Sequence, residues 1–123
     1  MNRADVAAEL DRMAAEPGIS GCALVDTDTG MIWQLSSGAR ASEPVWEAAV
    51  DYWRLHKRQE SHFADLGALH VAVMYHATGA LVLLPCCAEP ELLLVAHGKH
   101  AGVNWRAWQT MVRDLGKKIS AAA

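Results

Sequence analysis

The hydrophobic residues of this chain recur at helical spacing in three segments, over residues 4–15, over residues 43–59 and after Asn104. Asn104, and Ser42 ahead of the second segment, are residues typical of a helix N-cap. Pro44 supports a helix in the second segment. The backbone N–H that proline lacks would have no hydrogen-bond partner in the first turn of a helix. The pattern therefore predicts three amphipathic helices.

Five shorter apolar runs lie between these segments and have the length of β-strands. They cover residues 19–25, 31–36, 69–76, 80–86 and 91–96. Turn sequences separate them, among them an Asp- and Thr-containing turn ending in Gly30 and a proline-bounded connection over residues 85–90. The predicted order is α-β-β-α-β-β-β-α, an α+β fold with a five-stranded antiparallel sheet and flanking helices.

Trp33 lies in the second predicted strand, where strict alternation places it on one face with Met31 and Leu35, opposite Ile32. A large aromatic residue beside a hairpin turn is either part of the sheet core or an exposed anchor for a partner. Trp33 is therefore a candidate residue of a partner surface, and both interpretations stay open at this stage.

The second helix has two apolar stripes, whereas a helix that lies on a sheet needs only one. One stripe consists of Trp46, Ala49, Val50 and Trp53, and the other, offset by one residue, consists of Val45, Ala48, Tyr52 and Leu55. The extra stripe either packs against a second subunit or is sunk between the sheet and a long loop of the same chain. The aromatic residues favour the subunit interface, where such residues are enriched.

Length and charge limit the class of protein. A chain of 123 residues is expected to form a single domain, residues 1–123. The net charge of -3 offers no basic surface for nucleic acid. The N-terminus lacks the apolar core of a signal peptide, and the longest apolar stretch, residues 80–88, is less than half a membrane span. We expect a cytoplasmic protein that neither binds nucleic acid nor inserts into membranes.

Two histidines and two cysteines are the main candidates for chemistry. His97 and His100 are three residues apart, a spacing that can bring two imidazoles to one metal ion, although zinc needs three or four ligands. Cys86 and Cys87 are either redox-active or small buried hydrophobic residues, and three cysteines with two adjacent favour reduced thiols. We assign neither a metal nor a cofactor, and the role of these four residues beyond structure stays open.

No catalytic motif is present in the sequence. Asp26 and Asp28 are either a carboxylate pair or turn residues that bind their own backbone, and the turn interpretation is favoured. There is no phosphate-binding loop of the Walker type, and no serine or cysteine lies in a recognisable nucleophile motif. We therefore predict a protein that is not an enzyme and has no catalytic residues.

With its elements in this order, the chain resembles the roadblock family, the dynein light-chain-related modules that also occur as small bacterial GTPase regulators. The residues that carry the resemblance are Leu10, the run Pro17-Gly18-Ile19-Ser20-Gly21-Cys22-Ala23-Leu24-Val25-Asp26, then Asp28-Thr29-Gly30, Leu92-Leu93-Leu94-Val95-Ala96 and His100-Ala101-Gly102-Val103-Asn104-Trp105. The resemblance implies a homodimer in which the second helices and the middle strands of two subunits meet in one continuous sheet. It also implies a role as a scaffold or as a binder of Ras-like GTPases.

The predicted function is thus a non-enzymatic homodimeric adaptor or regulator that binds a Ras-like small GTPase or a related signalling or motility protein. The predicted dimer interface consists of Val45, Trp46, Ala49, Val50, Tyr52, Trp53, Val71 and Val73. The alternative is a small-molecule-sensing domain of the profilin type, because five-stranded sheets with flanking helices also form ligand pockets.

Overall fold

The computed structural model describes residues 2–99 and 103–122. Its elements are α1 (Arg3–Ala14), β1 (Ile19–Asp26), β2 (Ile32–Leu35), α2 (Glu43–Gln59), β3 (Ala72–Tyr75), β4 (Ala80–Ala88), β5 (Glu91–Gly98) and α3 (Trp105–Ala122). Short 3₁₀ helices at Ala39–Ser42 and Glu60–Leu66 precede and follow α2. This order confirms the predicted α-β-β-α-β-β-β-α arrangement.

The five strands form one antiparallel sheet in the order β2-β1-β5-β4-β3. The three longest strands, β1, β5 and β4, occupy its centre, and the four-residue strands β2 and β3 are its two edges. β4 and β5 extend to Ala88 and Gly98, beyond the predicted ends, because each continues the hydrogen-bonded ladder of the other. β3 is shorter than predicted, because only Ala72–Tyr75 pairs with β4.

Helices cover both faces of the sheet. The helices α1 and α3 pack on one face, and α2 packs on the other. Alternate residues of β5 divide between the two layers, so that Leu92 and Leu94 face α1 and α3 while Leu93 and Val95 face α2. Strands buried on both faces have apolar side chains at successive positions, which explains the uninterrupted hydrophobic runs in the sequence.

Two of the three helices begin with a side-chain cap. Asn2 and Asp5 form a reciprocal capping box at the start of α1, and Asn104 accepts a hydrogen bond from the backbone N–H of Ala107, at 3.1 Å, as predicted. Ser42 occupies the predicted N-cap position of α2, but its side chain makes no capping hydrogen bond, because its hydroxyl oxygen lies 2.9 Å from the Nε2 atom of His97 instead. None of the described helices is long and apolar enough to span a membrane.

A β-bulge in β2 changes the faces that strict alternation predicted. Gln34 pairs with Leu24 and Ile32 pairs with Val25, so Trp33 is an extra residue between the two pairs. Ile32 and Leu35 consequently share the α2 face of the sheet, whereas Trp33 packs toward α1 and α3. The predicted grouping of Trp33 with Leu35 is therefore wrong.

Candidate functional site

The inner stripe of α2 belongs to the core of the single chain. Trp46, Ala49, Val50 and Trp53 are buried against the sheet. The indole N–H of Trp46 donates to the carbonyl oxygen of Ala39 at 2.9 Å, and that of Trp53 donates to the carboxylate of Glu91 at 3.2 Å. These four residues were predicted at a dimer interface, but the chain's own sheet covers them, so we leave them out of any surface available to a partner.

The outer stripe of α2 is the exposed one. Tyr52 and Leu55 retain 46% and 47% of their surface, and Val45 is half-buried. Val45 and Tyr52 form one wall of a groove of about 480 Å³ whose other wall is the β3–β4 turn, with His76 and Gly79. The doubly apolar pattern of the sequence thus divides into one buried and one exposed face.

Strand β3 lies next to this helix at the edge of the sheet. In the described part of the chain, β4 is the neighbour of β3 on one side and no strand pairs with its outer edge. Val71 and Val73 are half-buried and pack toward α3, whereas Ala72 and Met74 pack toward α2. Val71 and Val73 therefore lie on the opposite face of the sheet from Val45 and Tyr52, and the edge of β3 is where the two faces meet.

The connection between α2 and β3 adds apolar residues that the sequence reasoning missed. Phe63 and Leu66, in the 3₁₀ helix Glu60–Leu66, retain 48% and 81% of their surface. With Leu69 and Val71 they line a second groove, of about 520 Å³. The only signal in the sequence was the presence of two large hydrophobic residues in a polar segment without helical or strand periodicity.

Trp33 is half-buried at the opposite edge of the sheet. The guanidinium group of Arg3 lies 4.0 Å from the centre of the Trp33 ring and also donates a hydrogen bond to the Trp33 carbonyl oxygen. A side chain of α1 thus contacts both the ring and one backbone carbonyl group of this edge strand. The role of Trp33 in a partner surface stays a prediction.

His97 lies in the wall of the groove beside α2. Its ring packs against that of Trp46 at an angle of 34°, with 5.1 Å between ring centres, and its Nε2 atom is hydrogen-bonded with the Ser42 hydroxyl. Burial lowers the pKa of His97, so the neutral imidazole is the favoured form. His100 lies outside the described residues, and among those described no group of three or more His, Cys, Asp or Glu side chains could hold a metal ion.

The acidic residues of the first hairpin act within their turn. The Asp26 carboxylate accepts hydrogen bonds from the backbone N–H groups of Asp28, at 2.9 Å, and of Thr29, at 3.3 Å. Gly30 takes the positive φ of 77° that the turn requires. Arg54 of α2 donates to the carbonyl oxygen of Thr27 at 3.2 Å, which fixes the turn against the helix.

Comparisons with known proteins give a match in structure and none in sequence. No family model matches the chain, and no curated protein matches it. A Roadblock/LC7 domain from Streptomyces avermitilis superposes with a TM-score of 0.74 at 14% identity, covering 95% of this chain and 93% of that one. MglB in a tetrameric arrangement gives a TM-score of 0.74 at 13% identity, covering 100% of this chain and 94% of the other.

A more distant likeness is to a Schizosaccharomyces pombe profilin, with a TM-score of 0.55 at 13% identity and coverage of 98% of both chains. At identities this low, the likenesses show the fold. The chain has the roadblock fold, as its motifs predicted, and its α+β class is confirmed.

Proposed function

We propose that this protein is a non-enzymatic homodimeric adaptor or regulator that binds a Ras-like small GTPase. One observation carries the dimer: on a roadblock fold, the exposed outer stripe of α2 lies beside β3, and no strand of the described residues pairs with the outer edge of β3. Single chains rarely expose large contiguous apolar patches without a partner. An unpaired edge strand is in addition a ready template for another strand.

A second copy of this chain is the occupant that fits both features. Two-fold symmetry places the same patch of each subunit against its counterpart. One apolar stripe and one open strand edge on each chain are therefore enough to form the interface. MglB, which shares the fold, is found in a tetrameric arrangement, and this supports self-association of such domains. The proposed interface consists of Val45, Tyr52, Leu55, Phe63, Leu66, Val71 and Val73.

The GTPase partner rests on the roadblock resemblance and fold, since family members typically bind Ras-like GTPases. The absence of an enzymatic role is supported by the tasks of the candidate residues. Asp26 holds its turn, and His97 is engaged by Ser42 and Trp46. Because these candidate residues have structural roles, we infer that the exposed surfaces serve binding and not catalysis.

A sensor of small molecules is the second candidate, favoured by the groove of about 480 Å³ beside His97. This volume lies within the range of ligand pockets, roughly 300–1,000 Å³. In the proposed dimer, Val45 and Tyr52 of this groove face the second subunit. Dimerisation and ligand binding in this groove therefore compete. The oligomeric state of the purified protein distinguishes the two proposals.

The deciding experiment is light scattering on a sizing column over a range of concentrations. We expect the mass of two chains for the wild type and of one chain for Tyr52→Glu, with unchanged circular dichroism. Thr110→Glu, which adds the same charge to the exposed surface of α3, is the matched control and should remain dimeric. A monomeric wild type, or a dimeric Tyr52→Glu, would contradict the proposed dimer.

The GTPase partner needs a separate measurement. Purified Ras-like GTPases are loaded with GDP or a non-hydrolysable GTP analogue, and their binding to the immobilised dimer is measured. We expect binding that depends on the nucleotide. If none binds in either state, the proposal of a GTPase partner is wrong even where the dimer is found.

A further inference from the structure

The last helix, α3, is a basic element in an acidic chain. Four basic residues and one acidic residue give this helix a charge of +3, whereas the whole chain has a net charge of -3. The remainder of the chain therefore has a charge of -6. A surface with this separation of charge attracts anions to α3.

Three of the basic residues lie along one line of the helix. Arg106, Arg113 and Lys117 are separated by seven and four residues. These spacings place them within about 40° of one another around an α-helix and spread them over about 16 Å of its axis. All three are exposed, and Trp108 and Leu115 are buried on the opposite side of the helix. Arg106, Arg113 and Lys117 thus form a basic stripe that faces away from the sheet.

The basic stripe is not neutralised by the chain's own carboxylates. Among residues 2–99 and 103–122, none of the ion pairs includes a residue of α3. Asp114, the acidic residue of the helix, lies about 60–100° around the helix from the members of the stripe. The three cations are therefore available to an external anion.

The basic stripe costs the helix stability. Arg106 is in the first turn of α3, where the positive end of the helix dipole disfavours a cation. Arg113 and Lys117 are like charges at positions i and i+4, which is also unfavourable in a helix. Natural proteins accept such local conflicts chiefly at functional sites. We therefore infer that the stripe serves a partner.

The rest of this face of the sheet limits the shape of the partner. The helix α1 packs on the same face as α3, and its three acidic residues outnumber its two basic ones. Duplex nucleic acid and anionic membranes are extended polyanions, which would meet α1 as well as α3. The exposed residue within the stripe, Thr110, offers no apolar anchor for a membrane. A compact acidic surface of a protein fits the stripe better.

We propose that the basic stripe of α3 binds an acidic helix of a partner protein. The guanidinium groups of Arg106 and Arg113 present planar forks of N–H donors, each of which can bind both oxygens of a carboxylate. In a helix that runs antiparallel to α3, glutamates at positions i, i+4 and i+11 lie opposite the three cations. The stripe lies outside the proposed dimer interface, so this binding requires neither the dimer nor a GTPase partner.

The test uses a fluorescently labelled, alanine-rich helical peptide with glutamates at i, i+4 and i+11. Its anisotropy is measured while full-length protein is added at low ionic strength. The matched probe has the same composition, with its glutamates spread around the helix. We expect the first peptide to bind about tenfold more tightly, since three exposed ion pairs each contribute modestly. Added salt should weaken this binding, because exposed charges are screened.

Charge reversal in the basic stripe should weaken binding of the first peptide. Arg106→Glu and Arg113→Glu each lose one ion pair and gain a repulsive contact, so we expect a loss of about tenfold in affinity. Arg58→Glu makes the same charge change at the exposed end of α2 and is the matched control, which should bind like the wild type. Arg106→Glu also places an acid at the start of α3, so its Tm should be equal or higher. Lost binding is thereby separated from lost structure, and circular dichroism establishes the folding of Arg113→Glu.

Four outcomes would overturn the proposal: no binding of either peptide, equal binding of the two peptides, undiminished binding in the two stripe variants, or tighter binding to phosphatidylserine vesicles or duplex DNA than to the first peptide. None of them bears on the proposed dimer, which light scattering tests separately.

Discussion

The Nε2 atom of His97 lies 2.9 Å from the hydroxyl oxygen of Ser42, and this hydrogen bond ties the end of β5 to the start of α2. The same imidazole ring packs, tilted, against the ring of Trp46. One side chain thus connects the last strand of the sheet with both the first turn and the buried face of the helix. The contact also explains why the Ser42 side chain makes no capping hydrogen bond to α2.

The stability of the protein should fall on the acid side through His97. Burial lowers the pKa of this imidazole in the folded chain, below the value of about 6.5 expected in the unfolded chain. As the pH falls below that value, the unfolded chain takes up a proton that the folded chain resists, so stability is lost. His97→Gln should reduce this loss in urea unfolding measured from pH 8 to pH 5.

The control for that series is His62→Gln, since His62 is exposed in the 3₁₀ helix after α2. It provides the reference series in which an exposed imidazole, rather than that of His97, is removed. An unaltered pH dependence in His97→Gln would show that His97 is not the group responsible.

Gly116→Ala should destabilise the protein although alanine is the better helix former. In an exposed helix the change gains about 1 kcal/mol. Here the new methyl group would lie 1.9 Å from the Cys86 carbonyl oxygen, so α3 must move from β4, at a cost of about 1–3 kcal/mol in unfolding free energy. Urea denaturation measures the difference.

Gly21→Ala is the matched control, because its nearest heavy atom is the Cβ of Ala39 at 3.4 Å, an ordinary contact. It should change the unfolding free energy by no more than about 1 kcal/mol. If Gly116→Ala is the more stable of the two variants, the close approach of α3 to Cys86 of β4 is wrong.

Alkylation should distinguish the cysteines by pH. Because the pKa of Cys87 is lowered to about 7, its rate of reaction with iodoacetamide should be half-maximal near pH 7. Burial raises the pKa of Cys22 to about 12, so Cys22 should react only after denaturation. Peptide mass spectrometry after timed labelling gives both rates.

Cys86→Ala removes the hydrogen bond that lowers the pKa of Cys87, and it should move the half-maximal pH upward. Labelling of Cys86 ahead of Cys87 in the wild type would be at odds with the assignment of Cys87 as the thiolate.

Trp46→Ala should reveal that the inner stripe of α2 is core. The side chain is fully buried and its N–H is bonded to Ala39, so we expect a loss of about 3–5 kcal/mol in unfolding free energy. Glu47→Ala, at the exposed neighbouring position, should change it by no more than about 0.5 kcal/mol. Comparable small effects at both positions would place Trp46 outside the core.

The sequence predicted the helices well and the faces less well. The span of α2, Glu43–Gln59, matches the prediction because its apolar period is long and Pro44 marks its start. Which of the two stripes faces the sheet was not decided by periodicity, since Trp46 and Tyr52 are both aromatic. That choice depends on where the sheet lies, which is a tertiary property.

The β-bulges in β2 and β4 could not be predicted from the sequence for a related reason. A bulge adds one residue to a strand without changing its apolar character, yet it moves every later side chain to the other face. Trp33 was placed with the wrong neighbours on that account. The same effect occurs in β4, where Pro85 pairs with Leu93 and Cys87 pairs with Leu92, so that Cys86 and Cys87 both pack against the core under α1 and α3.

The contact of Arg3 with Trp33 makes the two edges of the sheet unequal for strand addition. A sheet with two free edges can pair with a further chain at each edge, so every added chain leaves another edge free. Here Arg3 contacts the ring and the carbonyl oxygen of Trp33 at the β2 edge, whereas in the described part of the chain no strand pairs with the outer edge of β3. In the proposed dimer, pairing through β3 alone would bury both open edges, so strand addition would stop at two chains.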